Sequence, residues 1–187
     1  MTLKQYRKEK QIEINKGLKS CLPKIEKEVP SLWKSMNYSL FSKGKRIRPI
    51  LMYSVYESLS SPSSKKKKLK KSSICATACA IEIVHTSSLI LDDFPSMDNS
   101  STRRDKPTNH IVFGEAISLL AADALLTYAF ELLSREVPGD LGIELTRHLA
   151  KAVGTEGMIG GQVVDLQSRG KTIDYDKLIY IHSHKTG

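Results

Sequence analysis

Between Ser73 and Phe94 the chain is apolar on nearly every side of a helix, and it then runs straight into acid. A helix without a polar face must be covered on most sides, so this segment predicts the centre of a helical assembly. Pro95 disfavours helical geometry at Phe94 and interrupts the hydrogen-bond ladder, which sets the end of the segment. A chain of 187 residues is long enough to bury one core. Only 6% of it is aromatic, and β-branched alternation is scarce, so no sheet is expected. The fold class that follows is all-α.

Periodicity predicts a polar, amphipathic helix over residues 3–29, with Ile14, Leu18, Ile25 and Val29 on its apolar face. Pro30-Ser31 restarts the chain, and further helices are expected over 32–41 and 47–59, the latter tolerating Pro49 near its first turn. Residues 60–72 are Ser, Pro and Lys apart from Leu69 and read as a solvated loop. After the central helix, residues 102–111 read as a polar connection. Residues 112–134 and 141–166 read as two more helices, separated by Pro138-Gly139, and a last helix begins over 175–184. No repeat or boundary interrupts this pattern, so residues 1–187 are expected to form a single domain.

The net charge is +9, but Lys65–Lys68 with Lys70 and Lys71 supply six charges, and without them it is +3. The basic balance is thus a local tract. Nucleic-acid binding, which needs a distributed patch, is not expected. Residues 1–10 carry charge and no apolar run, and no segment is expected to reach the length of a membrane span, which together predict a cytoplasmic protein. The three cysteines are Cys21, Cys75 and Cys79. The last two stand one helical turn apart and read as small packing residues, with a subunit contact or a redox role as alternatives. Too few ligand-type residues accompany them for a structural zinc site.

Chemistry concentrates where the central helix ends. Asp92 and Asp98 are six residues apart, about 240° around an ideal helix, and cannot share a straight face. A break at Pro95 lets the chain curl and bring Asp98 back over Asp92. Carboxylates about 4 Å apart repel by about 4 kcal/mol at an effective dielectric near 20. They either stay apart in water, as a solvated helix end, or share a divalent cation. An oxygen-only set that includes Asp93 suits Mg²⁺, which keeps waters and accepts further oxygens from phosphates. His85 lies two turns below Asp92 on the same side, with Glu82 a turn further down. It is either a satisfied core residue or a donor to an anion. Gly44-Lys45-Arg46-Ile47-Arg48-Pro49 gathers three cations at a helix start, where free N–H groups favour an anion, and Arg103-Arg104-Asp105-Lys106 is a second such cluster. Gly160-Gly161 would admit a close neighbour beside Gln162 and Asp165, which share a helix face. Asp123 interrupts an apolar helix and would need a partner if buried.

Over about residues 38–187 these motifs, in this order and spacing, resemble the trans-isoprenyl diphosphate synthases of the geranylgeranyl diphosphate type. The matching segments are Gly44–Pro49, Glu82–Thr86, Asp92–Asp98, Arg103–Thr108, Gly161–Asp165 and Lys185-Thr186. The resemblance implies a helical bundle around a deep cavity, with Mg²⁺ on Asp92 and Asp98 and Asp93 supporting them. It implies Lys45, Arg48, His85 and Arg104 at the diphosphate of isopentenyl diphosphate, and Arg103, Lys185 and Thr186 at an allylic diphosphate. Gln162 and Asp165 are secondary positions. Small residues at Ser87 and Ser88 imply room for a long product, geranylgeranyl favoured over farnesyl. The family pattern continues to a second aspartate-rich motif, which does not occur before Gly187. The sequence therefore reads as the N-terminal portion of such an enzyme. The alternative is a catalytically incomplete fragment or a regulatory subunit that pairs with a complete synthase. A homodimer, or a heteromer with a complete synthase, is expected.

Overall fold

The computed structural model describes residues 1–60 and 69–186. Most of the expected loop over 60–72, with Lys65–Lys68, lies outside the described residues. The chain divides by its own contacts into two units, Met1–Pro138 and Gly139–Gly187.

The first unit is a stack of helices around α4. Helix α1 (Leu3–Cys21) opens with a reciprocal cap between Thr2 and Gln5. It stops eight residues short of the expected end, because Pro23 holds Leu22 in an extended conformation. Helix α2 (Pro30–Leu40) starts with proline at its first position, where the missing N–H costs nothing. Helix α3 (Ile47–Leu59) keeps its expected bounds and buries Pro49, Ile50 and Tyr53. Helix α4 (Lys71–Asp92) is the central one. Its small residues Ala76, Ala78 and Ala80 are almost wholly buried, and so are Cys79 and Ile83. The polar connection over 102–111 folds further than expected. Thr102–Arg103 (β1) pairs antiparallel with Lys106–Pro107 (β2), and Asn109–Phe113 forms the short helix α5. Gly114, at φ 78°, then separates α5 from α6 (Glu115–Glu136), so the helix expected to start at 112 starts three residues later. Asp123 on α6 is exposed, and the need for a buried partner does not arise.

Asn109 fastens this region. Its Oδ1 accepts from Ser35 Oγ (2.7 Å) and Ser118 Oγ (2.6 Å), and its Nδ2 donates to Ser35 O (2.9 Å) and Ser39 Oγ (2.7 Å). A buried amide with all four bonds made ties α2, α5 and α6 together.

Helices α4 and α6 are both 22 residues long and apolar enough, by length and composition, to cross a membrane, against the expectation that no segment would be. The reason is mutual covering: 61% and 44% of their most apolar windows are buried inside the protein. Apolar side chains also remain exposed on α3 (Leu51, Val55, Leu59) and α6 (Leu119, Leu120). Cys21 joins Cys75 and Cys79, so the cysteines are a group of three rather than the pair seen in sequence.

The second unit contains α7 (Asp140–Val153), α8 (Met158–Ser168), α9 (Tyr175–Ile181) and a π-helical turn, His182–Thr186. The single helix expected over 141–166 is broken at Gly154–Gly157, where side chains would collide with backbone carbonyls of the preceding turn. Asp174 caps α9 by accepting from the Lys177 amide at 2.7 Å.

Candidate functional site

The basic loop between α2 and α3 is held from below. Arg46 caps α3 from the left-handed region (φ 53°) and turns its guanidinium into the protein, where it is 4% exposed. It donates to Glu82 Oε1 on α4 (2.7 Å), to Leu40 O (2.7 Å) and to Asn15 Oδ1 (3.0 Å). Of the three loop cations, this one is therefore structural. Lys45 and Arg48 point outward and are exposed. They line a cavity of about 1200 Å³ together with His85 and Arg104. The four residues assigned from sequence to one ligand thus meet, from three separate segments, at one place.

Arg48 Nη1 lies 3.4 Å from His85 Nε2. A guanidinium only donates, so that ring nitrogen accepts and the proton resides on Nδ1. Burial, followed by the charges of Arg48, Arg104, Arg103 and Arg46, lowers the His85 pKa to about 4. The imidazole is neutral at physiological pH and can donate one hydrogen bond without adding charge. Gly44 makes room for Arg104: a Cβ there would stand 2.6 Å from Arg104 Nη1. Its carbonyl also accepts from Gln11 Nε2 at 2.6 Å.

The acidic turn curls as the proline break predicts. Asp98 N donates to Asp92 O (2.9 Å), and the Met97 and Asn99 amides both donate to Phe94 O (2.9 Å). Phe94 is buried, its ring 5.7 Å from that of His110, which pins the turn to the core. Asp93 faces inward. Arg103 Nε donates to both of its oxygens at 2.8 Å, and Arg103 Nη2 to Oδ1 at 2.7 Å. Asp93 therefore holds Arg103, while Asp92 and Asp98 lie on the more open side, half-buried and exposed. The hydrogen bond that Arg103 donates to Asp93, with the charges of Asp93, Asp92 and Asp98 adding, raises the Arg103 pKa. The oxygen-only donors Asp92 and Asp98, on one closed turn, fit a hard divalent ion.

Arg104 and Asp105 form the two-residue turn of the β1–β2 hairpin, both at positive φ (55° and 65°). Ordinary side chains there carry strain, which the flanking contacts sustain. With Arg46 and Asn99 they are the four non-glycine residues at positive φ among those described, and all four flank the cavity or the acidic turn.

Ser87 is buried, its hydroxyl donating to Ala122 O on α6 at 2.9 Å; Ser88 is half-buried and donates to His85 O. Neither lines the basic cavity. In the second unit, Lys185 Nζ donates to Asp165 Oδ2 at 2.6 Å, and Thr186 is exposed. The Gln162 amide is buried without a hydrogen-bond partner. Gly161 faces the π-helical turn so closely that a Cβ would collide with the Lys185 amide.

Sequence reading missed one wall of the cavity. Lys4, Arg7, Lys8 and Gln11 of α1 line it beside the basic loop, Gln11 reaching Gly44. Their i, i+3, i+4, i+7 spacing marks one helix face, a signal that was available but looked like an ordinary solvated surface.

The first unit is thus a largely helical frame carrying a basic cavity of about 1200 Å³ and a carboxylate turn. The chain belongs to the polyprenyl synthetase family, whose sequence model matches residues 29–187. It is 43% identical to a farnesyl diphosphate synthase of Geobacillus stearothermophilus, with 100% of this chain and 61% of that protein aligned. It is 42% identical to the heterodimeric geranylgeranyl pyrophosphate synthase large subunit 1 of Arabidopsis thaliana, over 92% of this chain and 46% of that protein. The apo structure of an FPP/GFPP synthase from Zymomonas mobilis superimposes with a TM-score of 0.87 at 33% identity, covering 98% of this chain and 65% of that one. The chain therefore spans about half to two thirds of the length of these relatives.

Proposed function

We propose that the chain belongs to a prenyltransferase that joins isopentenyl diphosphate head-to-tail to an allylic diphosphate, forming farnesyl or geranylgeranyl diphosphate. In this reading both units are parts of one prenyl synthase domain. The observation that carries it is the convergence of Lys45, Arg48, His85 and Arg104 on one cavity. Exposed cations on a loop anchored by the buried Arg46–Glu82 pair can grip a diphosphate without reorganising the fold.

In the reaction the allylic C–O bond breaks, the isopentenyl double bond attacks the carbocation to form the new C–C bond, and a proton is then lost. Isopentenyl diphosphate would sit on Lys45, Arg48 and Arg104, with the neutral His85 donating from Nδ1. The allylic diphosphate would sit near Arg103, Lys185 and Thr186, with Gln162 and Asp165 as secondary groups. No side-chain nucleophile is needed, and the released diphosphate can take the proton. Asp92 and Asp98 would hold Mg²⁺, with Asp93 supporting through Arg103. When bound, the ion draws charge from the leaving diphosphate.

Ser87 and Ser88 would leave space for the growing chain, so Ser88→Phe should shorten the product. Products of unchanged length would remove that role. We place the protein in the cytoplasm, a reading supported by its three free cysteines.

A second reading, a subunit that works only with a complete synthase, draws support from the heterodimeric name of one relative. The deciding experiment assays condensation by this chain alone, with a supplied C-terminal half, and with a complete synthase. Activity in the first or second favours the enzyme. Altered products only in the third favour the subunit. No condensation in the first two arms together with unchanged products in the third, with both substrates and Mg²⁺ present, would falsify both readings.

A further inference from the structure

We propose that Cys21, Cys75 and Cys79 form a site for one thiophilic metal ion, clasping the end of α1 to α4. The three sulfurs all lie within 4.8 Å of one another. Three sulfurs each about 2.3 Å from one ion stand roughly 3.8–4.0 Å apart, so closing on an ion takes a movement of about 1 Å or less.

The convergence is built by separate elements. Cys75 and Cys79 are one turn apart on the same face of α4. Cys21 is the last residue of α1, and its carbonyl accepts a hydrogen bond from the Tyr128 hydroxyl of α6. Arg135 Nη2 donates to the Tyr128 oxygen at 3.1 Å and steadies it. One turn before Cys21 stands Gly17, where a Cβ would lie 2.5 Å from Cys75 Sγ and 3.1 Å from Cys79 Sγ. Any larger residue would push α1 off the sulfurs. The buried Tyr53 hydroxyl lies beside Cys75. Of the three cysteines, Cys79 is buried and Cys21 and Cys75 are half-buried.

The donor set decides the class of ion. Three soft sulfurs exclude Mg²⁺ and Ca²⁺, which take oxygen. Among the described residues no histidine or carboxylate joins this cluster as a fourth ligand. Three-coordinate Cu⁺ fits as the set stands, and Zn²⁺ fits with water in the fourth position. The site stands apart from the diphosphate cavity and does not depend on the proposed reaction.

The test uses the full chain, reduced and desalted under argon, titrated with Cu⁺ in one arm and with Cd²⁺, as a probe for Zn²⁺, in another. The expected result in at least one arm is a sulfur-to-metal charge-transfer band that saturates at one ion per chain, with three thiols lost to Ellman's reagent and a raised unfolding midpoint. Cys21→Ser, at a helix end, should weaken binding at least about tenfold, the loss that even an outer-shell partner can cause. Copper alone or cadmium alone identifies the ion. No band at one equivalent overturns the site, and so does an undiminished band in folded Cys21→Ser. If that variant does not fold, the thiol count of the wild-type chain decides: protection of fewer than three thiols by one ion overturns the site.

Discussion

Two arginine–carboxylate pairs stand beneath the two halves of the candidate site, both at 2.7 Å, and they differ in how far water reaches them. Arg46–Glu82, under the basic loop, is closed off, each side chain 3% exposed. Arg103–Asp93, under the acidic turn, leaves the Arg103 side chain 34% exposed. The first arginine is spent entirely on protein acceptors and keeps its loop in shape with or without a ligand. The second holds its carboxylate from one side and can turn toward an incoming anion. Identical chemistry thus forms a closed scaffold in one place and a pair that water can reach in the other.

The largest expected effect breaks this comparison most directly. Glu82→Leu strands a buried guanidinium and should destabilise the fold by about 3–5 kcal/mol, read from the midpoint of urea unfolding. Asp93→Asn frees an arginine that can reach water and should cost about 1–2 kcal/mol in the same measurement. Equal losses would erase the distinction between the pairs. Next, Arg48→Ala or Lys45→Ala should each weaken pyrophosphate binding about tenfold in calorimetry, without moving the unfolding midpoint, because both side chains are exposed. A matching loss of stability would instead make these residues structural.

His85 gives a smaller, pH-dependent effect. Its folded pKa is near 4 against an ordinary 6.5, so the unfolded chain binds the proton more readily. Its contribution to stability is therefore full above about 6.5 and declines as pH falls toward 4. The charges of Arg48, Arg104, Arg103 and Arg46 all act on it, and each resists its protonation. An NMR titration should find the midpoint near 4, and added pyrophosphate should raise it by neutralising those charges. A midpoint near 6.5 in the free protein would mean the cavity is far wetter than described. The smallest effect belongs to the second unit, where Asp165→Asn removes a partly exposed partner of Lys185 and should cost under about 1 kcal/mol.

Much of this was legible before the coordinates. The run from 73 to 94 has no polar face, and only a central position suits it; α4 has that position. Asp92, Pro95 and Asp98 predicted a curl, and the Asp98 amide closes it. What could not be read was the division of labour among like residues. Arg46 and Arg48 look alike in sequence, yet one is buried and the other open, because only the packed fold brings Glu82 beneath the loop. Helix ends set by tertiary sterics were also hidden: the glycines over 154–157 resembled interior helix residues until the carbonyls of the preceding turn came into view. Cys21 was invisible as a partner of Cys75 because 54 positions separate them in the chain.

The hairpin reversal at Arg104 and Asp105 has a mechanical consequence. Consecutive arginines leave it in different directions, Arg103 to the Asp93 carboxylate and Arg104 to the loop at Gly44. The separation between the two guanidinium groups is therefore ruled by a single tight bend rather than by the length of any helix. Lengthening that bend by one residue would slide one guanidinium past the other while every helix stayed where it was.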